Sequence, residues 1–221
     1  MSLKISPLFL LLLCATAMAG DAAVRFNIRD QSGASVPCRI HLYDDAGEPQ
    51  RARDLPFWFD HFVCPGEATL TLAADRYDYE IERGPEWERA TGSFTLSASE
   101  KRDLSIQLNR LVDLASRGWW SGELHVHRSL EEIPLHLKSE DLHVAPVITW
   151  WNGTNHWADR SLPSQTLRKL DDGRCYDVMA GEDERTGGAL LYFGLQKPLD
   201  LPGSPREFPE FPSPMKFVHE A

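Results

Sequence analysis

The chain has 221 residues, of which 42% are hydrophobic and 25% are charged, and its formal net charge is -10. This composition is typical of a folded protein with room for one large or two small domains. Because nucleic acids and anionic membranes are bound by basic surfaces, the acidic balance argues against either as the main partner.

Residues 1–19 have the features of a secretory signal peptide. Lys4 gives a positively charged start, residues 8–13 give an apolar centre, and Ala17-Met18-Ala19 gives a cleavage site. The apolar run is too short to cross a bilayer. We therefore expect an exported protein, periplasmic or extracellular, without a membrane span.

Three cysteines follow the predicted signal peptide. They are Cys38, Cys64 and Cys175. An oxidising compartment permits a disulfide between the first two, although the sequence does not decide the pairing. Zinc binding by the thiolates is the alternative, but no C-x-x-C spacing supports it.

Residues 20–110 alternate between apolar and polar side chains, with turn residues between the segments. This pattern predicts short, half-buried strands and an antiparallel β-sandwich. The strands are expected at residues 24–28, 38–43, 68–72, 77–83, 92–96 and 104–108. The region resembles the carboxypeptidase-regulatory-like, prealbumin-like domains, which implies a spacer or docking role.

The periodicity changes after a linker at residues 111–117. A strand at 123–127, a helix at 133–142 and a buried strand at 144–149 would form a βαβ unit. We further expect a helix at 162–170 and strands at 176–180 and 189–193. The predicted fold is thus multidomain, β followed by α/β, with a partial α/β barrel in residues 111–221.

The end of the chain suggests a fragment. Six prolines between residues 198 and 214 predict an extended loop. Residues 215–221 then begin an amphipathic helix that has no terminating signal. A complete α/β barrel needs about 200 residues or more, which is more than follows the linker.

Residues 118–152 combine four of the seven tryptophans with four of the eight histidines. In a strand, His125 and His127 would point to the same face and could bind one metal ion together. Glu182, after a later apolar run, offers a carboxylate ligand. The alternatives are histidines satisfied by backbone groups and, for Glu182, a solvated charged turn.

These motifs resemble the polymerase-and-histidinol-phosphatase (PHP) metallohydrolase superfamily, and most of all its secreted, carbaryl-hydrolase-like branch. The resemblance lies in the strand ending at His125 and His127, in Glu132 five positions later, and in Gly181-Glu182. It implies that His125, His127, Glu132 and Glu182 bind a divalent ion, either Zn, Mn or Fe, with Glu132 as a further ligand or general base. From the residues alone, Glu132 equally suits the acidic first turn of a helix.

The sequence departs from the family pattern at three positions. Trp150 and Trp151 stand where the family has aspartate and histidine, and Ala189 replaces a later histidine. The comparison therefore implies a reduced site, or a divergent one that uses later residues, in place of a full cluster of two or three metal ions.

Together these features predict an exported metal-dependent hydrolase that uses activated water to cleave an ester, carbamate or phosphoester bond of a small molecule. The alternative is a noncatalytic module that binds carbohydrate or protein and keeps a degenerate metal site. The tryptophans fit either hypothesis, because their rings can fill a core or line a pocket.

Overall fold

The computed structural model describes residues 21–170, 172–185 and 188–201. The predicted signal peptide, most of the proline-rich segment and the predicted C-terminal helix lie outside these residues. Within them, the chain forms thirteen strands, one α-helix and one 3-10 turn.

The first eight strands form two facing sheets, which we call the front unit. The strands are β1 (Ala22–Arg29), β2 (Cys38–Asp44), β3 (Phe57–Trp58), β4 (His61–Cys64), β5 (Glu67–Leu72), β6 (Arg76–Glu82), β7 (Ala90–Thr95) and β8 (Lys101–Gln107). One sheet has the order β5-β1-β8 and the other β3-β4-β2-β6-β7. All six predicted strands are present, and β3 and β4 are additional. The prediction of a purely antiparallel sandwich is wrong, since β1 and β8 are parallel.

The core of the front unit lies between these two sheets. Val24, Phe26 and Ile28 of β1 pack in one cluster with Ile40 of β2 and Phe62 of β4. Burying each such side chain stabilises the fold by about 1.5–3 kcal/mol. The alternation that predicted the strands therefore also predicted the side chains that hold the two sheets together.

A third sheet, with both parallel and antiparallel strands, forms what we call the rear unit. Its elements are a 3-10 turn (Ala115–Arg117), α1 (Ile133–Ser139), β9 (Val144–Trp151), β10 (Thr154–Asn155), β11 (Leu167–Lys169), β12 (Cys175–Arg185) and β13 (Gly188–Tyr192). The strand order is β10-β9-β12-β11, and β13 also pairs with β12. Strands β9 and β12 are parallel, whereas the other pairs are antiparallel.

The predicted α/β barrel is wrong for the part of the chain that the structure describes. The segment predicted as a helix at 162–170 is a loop followed by β11. Leu162 and Leu167 remain about half exposed, so the predicted apolar stripe is not buried against the rest of the protein. With β13 antiparallel to β12 and one seven-residue α-helix in the described ranges, the architecture is almost entirely β.

The segment that carries His125 and His127 is also less regular than predicted. It is extended, but its backbone pairs with β9 through two isolated parallel bridges, Gly122 to Val144 and Val126 to Val147, in place of a continuous ladder. Leu124 is 56% exposed, so the predicted strand at 123–127 is neither regular nor buried. The segment nevertheless runs parallel to β9 at the edge of the rear sheet.

A buried charge cluster joins the two units, and we call it the Asp141 cluster. The Asp141 carboxylate accepts hydrogen bonds from the Trp87 indole at 2.9 Å and from Arg83 at 3.2 Å, both in the front unit. It also pairs with Arg110 at 3.3 Å and with Arg174 of the rear unit. Burial raises the pKa of Asp141, but the indole and the three guanidinium groups outweigh it, and the pKa lies below its usual value.

A glycine allows the two backbones to approach closely beside this cluster. Gly84 has a φ of +68°, and a Cβ there would lie 2.2 Å from the carbonyl oxygen of Glu140, just after α1. A larger residue would therefore separate the end of α1 from the front unit.

Across the described ranges, no helix has the length and apolar character needed to cross a membrane.

Candidate metal centre

The segment at residues 122–127, β9 and β12 run parallel to one another and bring three of the predicted ligands together at the edge of the rear sheet where the carboxyl ends of these strands lie. Val126, between the two histidines, is bridged to Val147 of β9, and Glu182 of β12 lies opposite Trp151 near the end of β9. Because the carboxyl ends of parallel strands meet at the same edge, groups placed there converge although they are distant in sequence.

Three side-chain atoms meet at this edge in a triangle. His125 Nε2 lies 3.0 Å from His127 Nε2, and each of these nitrogens lies 3.0 Å from Glu182 Oε2. The histidine side chains are 47% and 37% exposed, whereas that of Glu182 is 3% exposed. The carboxylate is thus held inside the protein and the imidazoles border the solvent.

No arrangement of protons gives a hydrogen bond along all three sides of this triangle. If both Nε2 atoms donate to Glu182, two N–H groups face each other at 3.0 Å. If His125 donates to His127 instead, the accepting nitrogen has no proton left for the carboxylate. A single cation satisfies all three atoms together.

The geometry and the buried carboxylate both fit a divalent ion. Metal–ligand bonds of about 2.1 Å that meet at about 90° place neighbouring ligand atoms about 3.0 Å apart. Glu182 Oε1 is buried without a hydrogen-bond partner among the described residues, which is costly unless a charge lies nearby. Two imidazoles and one carboxylate suit Zn, Mn or Fe.

The structure does not bring Glu132 to this triangle. Glu132 is the N-cap residue of α1, and its carboxylate lies 3.7 Å from His136 Nε2, one helical turn further on. Within the described ranges, the potential ligand group at this edge consists of His125, His127 and Glu182.

The tryptophans around the triangle have distinct environments. Trp151 meets the His127 ring edge-to-face at 4.8 Å. Trp150 is 4% exposed and stacks on Tyr192 at 5.8 Å. A Cβ on Gly181 would lie 1.9 Å from Trp150 Cε2. Gly181 therefore lets Trp150 pack directly beside the strand position that presents Glu182.

An open cleft of about 650 Å³ extends from the triangle to the front unit. His125 and His127 line it together with Trp58 of the front unit and with Leu137 and Leu142 of the rear unit. Its volume is within the range of about 300–1,000 Å³ that small-molecule sites usually have.

The sequence analysis missed two groups of potential ligands that share His41, and one of them combines it with Glu80 and Glu82. His41, Asp60 and His61 of the front unit lie close together. The alternation in β2 indicates that His41 points outward, between the buried Ile40 and Leu42. The pairing of β2 with β4, which places His61 beside it, is not visible in the sequence.

No family model and no curated protein matches this chain. Solved structures similar to it include the Bacillus anthracis TIE protein, at 14% identity and a TM-score of 0.33 over 51% of this chain. Another is the pilus-presented adhesin Spy0125 (Cpa), at 17% identity and a TM-score of 0.28 over 41% of this chain. This chain covers 20% and 27% of those two chains, and such similarity supports no argument about function.

Proposed function

We propose that this chain is a metal-dependent hydrolase of the exported compartment, with His125, His127 and Glu182 as the ligands of one divalent ion. The observation that carries the proposal is the 3.0 Å triangle of two imidazole nitrogens and one buried carboxylate oxygen. The proposed substrates are small molecules with an ester, carbamate or phosphoester bond.

The two sides of the centre support different parts of this function. Glu182 is enclosed, so its negative charge is screened little by solvent and favours a bound cation. The partly exposed imidazoles leave the opposite side of the triangle accessible from the cleft. When bound, the ion would supply activation of water, whose pKa it lowers from about 15.7 toward about 7.

Neighbouring residues hold the imidazoles in place. The Glu123 carboxylate accepts the backbone N–H of His125 at 3.0 Å, and Trp151 restricts the ring of His127. The apolar side chains of the cleft would exclude water from a bound substrate and so strengthen electrostatic interactions near the ion.

The first test compares the wild-type protein with Glu182→Gln and with the double variant His125→Ala/His127→Ala. After treatment with a chelator and reloading with Zn²⁺, we expect the wild type to hydrolyse 4-nitrophenyl acetate or bis(4-nitrophenyl) phosphate. Because outer-shell changes alone typically reduce metal affinity or activity by about 10–100-fold, removal of a ligand should lower turnover by at least about 100-fold.

The matched control is His156→Ala, which removes a partly buried imidazole that contacts Arg160 at 3.2 Å. It should retain wild-type turnover. Equal turnover in the wild type and in Glu182→Gln, or none in the Zn²⁺-loaded wild type, would contradict hydrolysis at this centre.

The second candidate is a noncatalytic module that binds carbohydrate or protein and uses the metal ion structurally. Trp119 and Trp120 favour it, because they are 71% and 65% exposed next to each other, and exposed aromatic rings are typical of binding surfaces. The displacement of Glu132 also leaves the centre without its predicted general base. Glycan binding that is lost in Trp119→Ala/Trp120→Ala, together with no turnover, would favour this candidate.

A further inference from the structure

We infer that the front unit carries a second divalent-cation site, formed by His41, Asp60 and His61. The site would bind a borderline transition-metal ion such as Zn²⁺, for which two imidazoles and a carboxylate are suitable ligands. The inference is independent of hydrolysis at the first centre.

Strand pairing places the two histidines side by side on the outer face of the larger front sheet. His41 of β2 lies directly opposite His61 of β4, and their ring centroids are 5.0 Å apart. The chain reaches His61 through a tight turn in which Phe59 has a φ of +51°. This turn returns Asp60 to the same face as the imidazoles.

In both imidazoles the Nδ1 atom faces the carboxylate of Asp60. His61 Nδ1 lies 2.9 Å from Asp60 Oδ1, and His41 Nδ1 lies 3.3 Å from Asp60 Oδ2. These atoms are close enough to share one ion.

The surroundings of the other ring nitrogen of His41 favour a bound ion over an arrangement of hydrogen bonds without one. His41 Nε2 is buried without a hydrogen-bond partner among the described residues, and the nearest carboxylate, that of Glu82, is 3.8 Å away. Both ring nitrogens of His41 therefore face carboxylates. A neutral imidazole has one proton and can serve only one of them, so a cation beside Nδ1 would resolve the conflict.

The location gives the site a role beyond that of a spacer domain. His61 lines the same cleft as His125 and His127. A cation bound here would place a positive charge beside the cleft that the first centre borders, where it could attract an anionic group.

The decisive measurement is the Zn²⁺ stoichiometry of the full chain, by calorimetric titration of chelator-treated protein. The key variant is His125→Ala/His127→Ala/Glu182→Gln, which removes the first centre and leaves the front unit unchanged. We expect about two equivalents in the wild type and about one in this triple variant. Adding Asp60→Asn to the triple variant should abolish the remaining equivalent.

The reverse variant, His41→Gln/His61→Gln, should also retain about one equivalent, and His156→Gln should bind like the wild type. The inference is overturned if the triple variant binds no Zn²⁺, or if Asp60→Asn leaves its binding unchanged. In that case the three side chains are held by hydrogen bonds without an ion. Loss of hydrolysis alone would leave the inference intact, since turnover reports only on the first centre.

Discussion

Asp141 connects the front and rear units through one buried carboxylate. Its partners come from both units, and both Asp141 and Arg83 are more than nine-tenths buried. Buried charges of this kind are stable only as a complete set, because removing one member leaves another uncompensated.

We therefore expect Asp141→Asn to lower the free energy of unfolding by about 3 kcal/mol, as for other broken buried pairs. The matched control is Asp78→Asn, which removes a half-exposed ion pair with Arg76 and should cost at most about 1 kcal/mol. Urea denaturation of the three proteins measures both effects.

The pH dependence of this effect has a definite sign. Because the folded-state pKa of Asp141 is lowered, its contribution is fully present above the unfolded value of about 3.9 and is lost as the pH falls through the folded value. Asp141→Asn should thus be less sensitive to acid than the wild type. Equal losses in Asp141→Asn and Asp78→Asn would contradict a structural role for the cluster.

At the scale of single residues, the sequence predicted some of the site and missed the rest. The spacing of His125 and His127 was informative because side chains two positions apart in an extended segment point to the same side of the chain. Glu132 could not be placed in this way, because the chain turns between His127 and α1, and spacing across a turn does not determine direction. Whether these residues bind a metal ion stays a prediction.

At the scale of elements, periodicity was reliable where one face of a strand is buried. In β1, alternating burial matches alternating polarity at nearly every position. The same criterion failed at residues 162–170, where leucines occur at near-helical spacing but Leu162 and Leu167 stay about half exposed and Leu170 alone of the three packs against the core. A periodic pattern forms a helix only when another element covers its apolar face.

The contact between α1 and the front unit leads to a prediction for Gly84→Ala. A Cβ there would clash with the Glu140 carbonyl oxygen and would also occupy a left-handed conformation. We expect the left-handed conformation to cost about 1–2 kcal/mol and the overpacking about 1–3 kcal/mol more. The midpoint of urea unfolding measures the sum.

Gly47→Ala is the matched control for this prediction. Gly47 has a φ of +82°, but a Cβ at this position would meet no atom within 4 Å, so only the conformational cost applies. If both variants lose the same free energy of unfolding, the close approach at Gly84 contributes nothing to the loss in Gly84→Ala.

At the scale of the whole molecule, we expect the two units to unfold together. Arg83 couples them, because its guanidinium donates to the carbonyl oxygens of Pro37 in the front unit and Lys138 in the rear unit. In Arg83→Met, both carbonyls lose this donor and Asp141 loses a counter-ion. The single transition of the wild type should then separate into two.

Two probes detect such a separation. Five of the seven tryptophans follow residue 110, so fluorescence reports mainly on the rear unit, while far-ultraviolet circular dichroism reports on both. Arg76→Met, which removes a half-exposed side chain, is the control and should keep the two curves coincident. Coincident curves in Arg83→Met would show that the coupling lies elsewhere.

The global architecture was the least predictable property of this chain. Local patterns located β9 and β12, and these strands are parallel as a barrel would require. The antiparallel return of β13, and the limitation to a single covering helix, α1, in the described ranges, depend on contacts between distant residues, which a local pattern does not encode.

The close contact between Gly181 and Trp150 also limits how this sequence can evolve. Every single-nucleotide missense change of a glycine codon introduces a side chain, and even the smallest would overlap the indole. Replacement of Gly181 must therefore be preceded or accompanied by a smaller residue at position 150, so the two positions are expected to change as a pair among descendants of this gene.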